Sequence, residues 1–199
     1  ILLAMTVLAF GLITDFTPSN INEFGGLLTI VVAFAGISLS FPIGVLMALA
    51  RRSTFPLIRP LAVGYIELVR GVPLISLLFM GQFAIGFLFP PDANIPGPIF
   101  RAIIMITFFS GAYVAEVVRG GLQSVPAGQI EAGKALGLSP FTITRRIVLP
   151  QALRNSIPAL IGQFISLLKD VSLLVVIGLQ EMLGIVDVVL ARQEFVNQG

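Results

Sequence analysis

Between Leu27 and Ala50 the chain runs for 24 residues without a charged side chain, and three later stretches are nearly as apolar. A helix rises 1.5 Å per residue and the hydrocarbon core of a bilayer is roughly 30 Å thick, so about 20 such residues are enough to cross it. Lipid offers no partner to a bare peptide group, and a lone apolar segment must satisfy its own backbone by becoming a helix. The composition points the same way, with 56% of the 199 residues hydrophobic and 11% charged, against roughly 25% charged in a soluble domain. The expected fold class is an all-α, multi-pass membrane protein. The chain has no histidine and no cysteine, which excludes disulfides, thiolate nucleophiles and the usual transition-metal sites; a carboxylate-only site is a weak alternative, and no metal site is expected.

Four complete spans and one partial span meet the length test. Residues 1–14 are apolar but short, which suits the tail of a truncated N-terminal transmembrane helix; residues 15–25 then form an extracytoplasmic loop, and 26–199 the transmembrane domain. Complete spans are expected at about 27–50, 57–89, 99–122 and 157–179. The second is too long for one straight crossing, and Pro73 removes a helical hydrogen bond within it, so a kink is expected near Gly71 to Pro73. The proline-rich stretch 90–98 must be a loop. Ile1 at the start and a polar run at the end suggest a piece of a longer chain, with a C-terminal helix still to follow.

Basic loops fix the orientation. Arg51, Arg52, Arg59, Arg119, Lys134, Arg145, Arg146 and Arg154 fall on one side, which is therefore cytoplasmic; Arg101 and Arg192 fall on the other. The acidic Asp15, Glu23, Asp92, Glu181 and Asp187 lie on the outer side. On the inner side, residues 124–150 form a loop with strong punctuation. Pro126 can open a helix at no cost in donors, Gly137 can end it in the left-handed conformation, Ser139-Pro140 can cap a second helix, and Leu149-Pro150 is expected to turn the chain. Such a segment is either an amphipathic interfacial helix or a helix that docks a partner.

The residues from Glu131 to Pro150, E-A-G-x(3)-G-x(9)-I-x-L-P, resemble the E-A-A loop in membrane subunits of ATP-binding-cassette importers, with Gly133 where that family usually has alanine. ELVRGVPL (67–74), AYVAEVVRGGL (112–122), FISLLKDVSL (164–173) and the span 26–51 resemble the polar and general amino-acid branch, and the likeness covers about residues 25–185. It implies a permease subunit in a bacterial cytoplasmic membrane, paired with a second permease, identical or related. It further implies two cytoplasmic ATP-binding subunits that hold the ATP and Mg, and an extracytoplasmic binding protein that delivers an amino acid. No cofactor in this chain and no nucleic-acid partner are implied. In this reading Glu131, Ala132, Gly133 and Gly137 couple to the ATPase.

Charges at membrane depth cost roughly 2.5–3.5 kcal/mol each and so tend to mark function. Helical spacing places Gln163, Ser166 and Asp170 on one stripe, with Lys169 and Ser172 on a neighbouring one. Asp170 could meet a substrate ammonium while Ser166 or Ser172 meets its carboxylate; the other reading is structural, with Lys169 and Asp170 each in an ion pair. Glu67 and Arg70 on one helix repeat the spacing of Glu116 and Arg119 on another, and each i, i+3 pair is expected to neutralise itself in a structural and gating network. Gly128 to Ala135 nearly spells a phosphate-binding loop, but Ala135 lacks the hydroxyl that such a loop gives to magnesium. Two rivals remain from the residues alone, a passive channel for small polar solutes or ions and a membrane enzyme. The second lacks any grouping of side chains suited to catalysis.

Overall fold

The computed structural model describes residues 25–84, 87, 90 and 96–191, and every regular element among them is helical. The partial span 1–14, nearly all of the loop 15–25, Asp92 and Arg192 lie outside the described residues. In chain order the elements are α1 (Gly25–Ala50), α2 (Ile58–Gly71), α3 (Leu74–Phe79), α4 (Pro98–Gln123), α5 (Ala127–Ala135), α6 (Pro140–Ile143), α7 (Leu149–Asp170) and α8 (Met182–Leu190). π turns follow α3 at Met80–Ala84 and α6 at Thr144–Val148, and a 3₁₀ segment, Val171–Ile177, follows α7.

Among these residues three helical stretches are long and apolar enough to cross a membrane: Gly25–Ala50, Pro98–Gln123 and Pro140–Ile177. The broken pair Ile58–Gly71 and Leu74–Ala84 makes a fourth when counted as one span. The break falls where the sequence places it. Pro73 is extended (φ −61°, ψ 141°), and its carbonyl accepts the Ser76 N–H at 3.0 Å to start α3.

The expected turn at Leu149-Pro150 is not found. Helix continues without a break from Pro140 to Ile177. Pro150 has no N–H to offer the preceding turn, and the π turn at 144–148 sits immediately before it, so widened geometry absorbs the missing bond. At 38 residues this stretch is about 57 Å long, nearly twice the hydrocarbon thickness. Arg145, Arg146, Arg154 and Asn155 are exposed in its first half, which marks that half as the part outside lipid. A second difference is α8: its apolar run is too short to span and holds Asp187, so periodicity alone leaves it unassigned.

The chain divides into two compact units. One comprises 41–70 and 111–164. Its core joins Ala48 of α1, Val114, Val118 and Leu122 of α4, Ile143 of α6, Val148 of the π turn, and Ala152 and Leu160 of α7. Lipid is as apolar as leucine, so helices here associate through close packing more than through water exclusion. Small residues supply that closeness. A β-carbon on Gly44 would strike Val114, and one on Gly121 would strike Ser156 and the Ala152 backbone. The Ser156 hydroxyl is 2.8 Å from the Ala152 carbonyl and 3.3 Å from that of Val117, and Asn155 Nδ2 donates to Ser124 Oγ at 2.8 Å.

The same unit holds a charge cluster. Glu116 accepts from Arg51 at 2.6 Å and from Arg119 at 2.7 Å, and Arg70 stands 3.8 Å away. Arg51 also reaches Glu67 at 3.0 Å. The Glu116–Arg119 half of the expected repeat is therefore present, whereas Glu67 pairs with Arg51 rather than with Arg70. Arg70 instead lies 5.3 Å from the centre of the Tyr113 ring. Arg51, which the sequence offers only as a basic stop after α1, joins both carboxylates.

The other unit comprises 25–40, 71–110 and 165–191 among the described residues. Gly36 of α1 packs against Ile106 of α4 and Leu167 of α7, and Gly81 against Met105. Glu181 is 1% exposed. Its Oε1 accepts the Gly184 N–H at 3.0 Å, capping α8, and its Oε2 lies 3.4 Å from the Thr29 hydroxyl. Thr29 Oγ1 in turn accepts the Met182 N–H at 3.0 Å. A carboxylate on the first amides of a helix is favoured by hydrogen bonding and by the helix dipole.

Two expectations follow. Gly121→Val should destabilise the protein by about 1–3 kcal/mol through overpacking, while Gly120→Val, which meets no atom within 4 Å, should be near neutral. Thermal melting of the two detergent-purified variants distinguishes them. Glu116→Gln leaves three guanidiniums facing each other and should cost about 2 kcal/mol, less than a fully buried pair because these side chains are only partly buried. Glu67→Gln loses one exposed pair and about 1 kcal/mol or less; equal melting of the two variants would contradict the central place of Glu116.

Candidate functional site

The loop between α4 and α7 takes its shape from backbone hydrogen bonding. α5 ends in a paired motif in which the Leu138 N–H bonds the Gly133 carbonyl at 3.1 Å and the Gly137 N–H bonds that of Lys134 at 2.9 Å. This requires Gly137 to be left-handed, and its φ is 72°. Two residues on, Ser139 Oγ accepts the Thr142 N–H at 3.2 Å, with Pro140 in the first turn of α6. The helix–glycine–cap–helix order expected from the residues is the one observed.

The sequence-selected residues of this loop separate into two groups. Glu131, Ala132 and Gly137 are exposed, together with Lys134 and Ala135. Gly133 is buried, and a β-carbon there would press on Ile143. Its small size thus serves the approach of α5 to α6 within the chain, not the approach of an outside partner. Two residues that the family motif does not single out stand beside this surface: Leu136 is 78% exposed and Phe141 71%. Their signal in the sequence was available, since both are large apolar side chains inside a polar loop.

The second candidate group lies farther along. Gln163, Ser166, Lys169 and Asp170 are all on α7, with Gln163 and Asp170 half-buried and Ser166 and Lys169 exposed. The α-helical spacing that puts 163, 166 and 170 on one stripe holds through Asp170, where the backbone tightens into the 3₁₀ segment. Ser172 lies past that change, and its hydroxyl donates to the Lys169 carbonyl at 2.7 Å. Among the described residues neither Lys169 nor Asp170 has an ion-pair partner. Among the described residues there are also buried polar atoms without partners there that the sequence did not flag: Ser38 Oγ, Gln82 Oε1, Arg101 Nε and Thr107 Oγ1. Arg101 is held in the first turn of α4 by a 2.5 Å bond to the Gln82 carbonyl. No cluster of metal-ligating side chains occurs among the described residues.

Comparison with known proteins places this arrangement. The chain is 46% identical over 170 residues to the glutamate/glutamine/aspartate/asparagine transport system permease protein BztC of Rhodobacter capsulatus, covering 84% of this chain and 39% of that one. To the inner membrane amino-acid ABC transporter permease protein YhdY of Escherichia coli it is 44% identical, over 83% and 45% of the two chains. It thus spans less than half the length of these two relatives. With the probable glutamine ABC transporter permease protein GlnP of Bacillus subtilis it shares 41% identity, covering 80% of this chain and 71% of that one. A crystal structure of an amino acid ABC transporter with histidines superposes with a TM-score of 0.75 at 30% identity, over 88% of this chain and 80% of the other. The fold is therefore that of ABC importer permeases. Residues 40–193 match the family described as binding-protein-dependent transport system inner membrane component, and the chain belongs to that family.

Proposed function

We propose that the protein is the membrane permease of an ATP-driven amino-acid importer, forming half of a translocation path and coupled to cytoplasmic ATP-binding subunits through the α5–α6 loop. The observation that carries the reading is the loop itself. Leu136 and Phe141 are large, apolar and exposed on an otherwise polar loop. Large apolar side chains exposed on a polar loop suit contact with a partner. The relatives are named as transport permeases for amino acids, which supports an ATPase groove as the cover and a second permease and a binding protein as further partners.

ATP and magnesium belong to the partner; this chain supplies the lever. As the ATPase subunits close, they move α5 and α6, and the unbroken helix carries the movement toward Gln163 and Ser166. A zwitterionic substrate that has lost its water needs one anionic and one donor group in return. Asp170 suits the ammonium, and Ser166, Ser172 and Lys169 suit the carboxylate. Their lack of ion-pair partners among the described residues favours this over a purely structural pairing.

In reconstituted transporter, Glu131→Lys or the pair Leu136→Ala and Phe141→Ala should lower amino-acid uptake about tenfold while ATP hydrolysis persists. Unchanged uptake per ATP in both would remove the loop from coupling. Gly137→Val adds about 1–2 kcal/mol of left-handed strain and should uncouple in the same way, whereas Gly137→Asn, which tolerates that conformation, should not.

Asp170→Asn should depress uptake strongly at nearly constant volume. A cysteine placed at Ser166, in a chain that has none, should react with a small water-soluble thiol reagent more slowly when substrate is present. A thiol inert in every state would place this stripe against another helix and assign Asp170 a structural role.

A further inference from the structure

A cavity of about 460 Å³ opens where α1 ends, α2 begins and α4 finishes, lined by Arg51, Arg52, Arg59, Val63, Arg119 and Gln123. Four guanidiniums around one cavity are more than the local carboxylates neutralise. Arg51 and Arg119 are engaged by Glu67 and Glu116, and Arg70 shares Glu116 as well. Arg52 and Arg59 are exposed and have no ion-pair partner among the described residues. The transport reading uses none of this surplus charge.

Planar guanidiniums with free donors select oxyanions, and phosphate above all. The surroundings narrow the choice of phosphate. Phe55, Leu57 and Leu61, which flank Arg59 in the chain, are 65%, 68% and 64% exposed. α2 is amphipathic, with Ala62, Ile66 and Val69 buried inward, so its outward leucines meet lipid or another apolar body. A free phosphate or a nucleotide would satisfy the arginines alone, whereas an anionic phospholipid brings the same phosphate together with acyl chains that suit the exposed apolar side chains of this part of the chain. We propose that the cavity binds the phosphate headgroup of an anionic phospholipid from the surrounding leaflet, with Arg52 and Arg59 as its principal contacts and the acyl chains in the adjoining bilayer. Basic residues at the end of a span attract any anionic surface diffusely; here their convergence on one cavity makes a defined site.

The test uses the complete transporter, delipidated in mild detergent and titrated with phosphatidylglycerol or phosphatidylcholine, with retained lipid counted by native mass spectrometry in the absence of substrate and ATP. Such a measurement is independent of whether the complex transports amino acids. Phosphatidylglycerol should be retained preferentially, with affinity falling about fivefold for Arg52→Gln or Arg59→Gln and about 25-fold for the pair. The charge-preserving Arg52→Lys, Arg59→Lys variant should lose less of the preference than the double glutamine variant, because an ammonium still meets phosphate as a point charge, which separates loss of the site from loss of folding. Equal retention of the two lipids by the unaltered protein, or no change in the double glutamine variant, would overturn the proposal. Displacement of the lipid by millimolar inorganic phosphate would overturn it in favour of a free-anion site. Protection of a cysteine at position 59 by the ATPase subunits in lipid-free protein would overturn it in favour of a protein contact.

Discussion

A carboxylate among membrane helices has to be compensated, and Glu116 is compensated by three guanidiniums. Arg51 and Arg119 bond it at 2.6 and 2.7 Å and Arg70 approaches to 3.8 Å, so one side chain draws together the end of α1, the last turn of α2 and the lower part of α4. The cost of holding these ions near lipid, roughly 2.5–3.5 kcal/mol each when alone, makes separation unfavourable and sets which ends must meet. Glycine then sets how near they come. With Gly44 against Val114 and Gly121 against Ser156, the helices approach closely enough for the hydroxyl of Ser156 to lie within reach of a carbonyl on α4. Charge chooses the partners and small residues fix the distance.

The loop between α4 and α7 follows from similarly local rules. Gly137 reverses the backbone because only a residue without a β-carbon enters the left-handed region freely. Ser139 supplies the acceptor that the first amides of α6 lack, and the π turn allows Pro150 to pass through a continuing helix. Each device satisfies a hydrogen bond that the helix ends would otherwise leave open. Together they leave Glu131, Ala132, Leu136 and Phe141 facing outward. The exposed surface of this loop is thus a by-product of correct capping as much as of its own side chains.

Charge left over from one task is available for another. The cluster around Glu116 consumes two carboxylates, Glu116 and Glu67, and the remaining arginines border an open cavity. The other unit shows the opposite balance, since Glu181 is buried with no cation on it among the described residues and is held by Thr29 and the Gly184 amide. Neutral donors suffice there because a helix N-terminus brings its own partial positive charge.

Local causes were legible in the residues, and spatial ones were not. The long apolar runs, the break at Pro73, the left-handed Gly137 and the Ser139 cap each depend on a few neighbouring residues, and each is found where the sequence puts it. The loop between α4 and α7 was readable for the same reason, helped by a motif whose spacing is itself local. What sequence could not show was who meets whom. Glu67 sits three residues from Arg70 yet bonds Arg51, because the pairing depends on where α1 ends in space. Gly133 looks free for a partner until α6 folds against it. Pro150 looks like a turn until a widened helix carries the chain past it, and Glu181 looks like a loop acid until Thr29 covers it. A helix cap or a span is decided within one or two turns of chain, whereas an ion pair or a buried carboxylate is decided by side chains brought together from distant positions, and only the tertiary structure brings them.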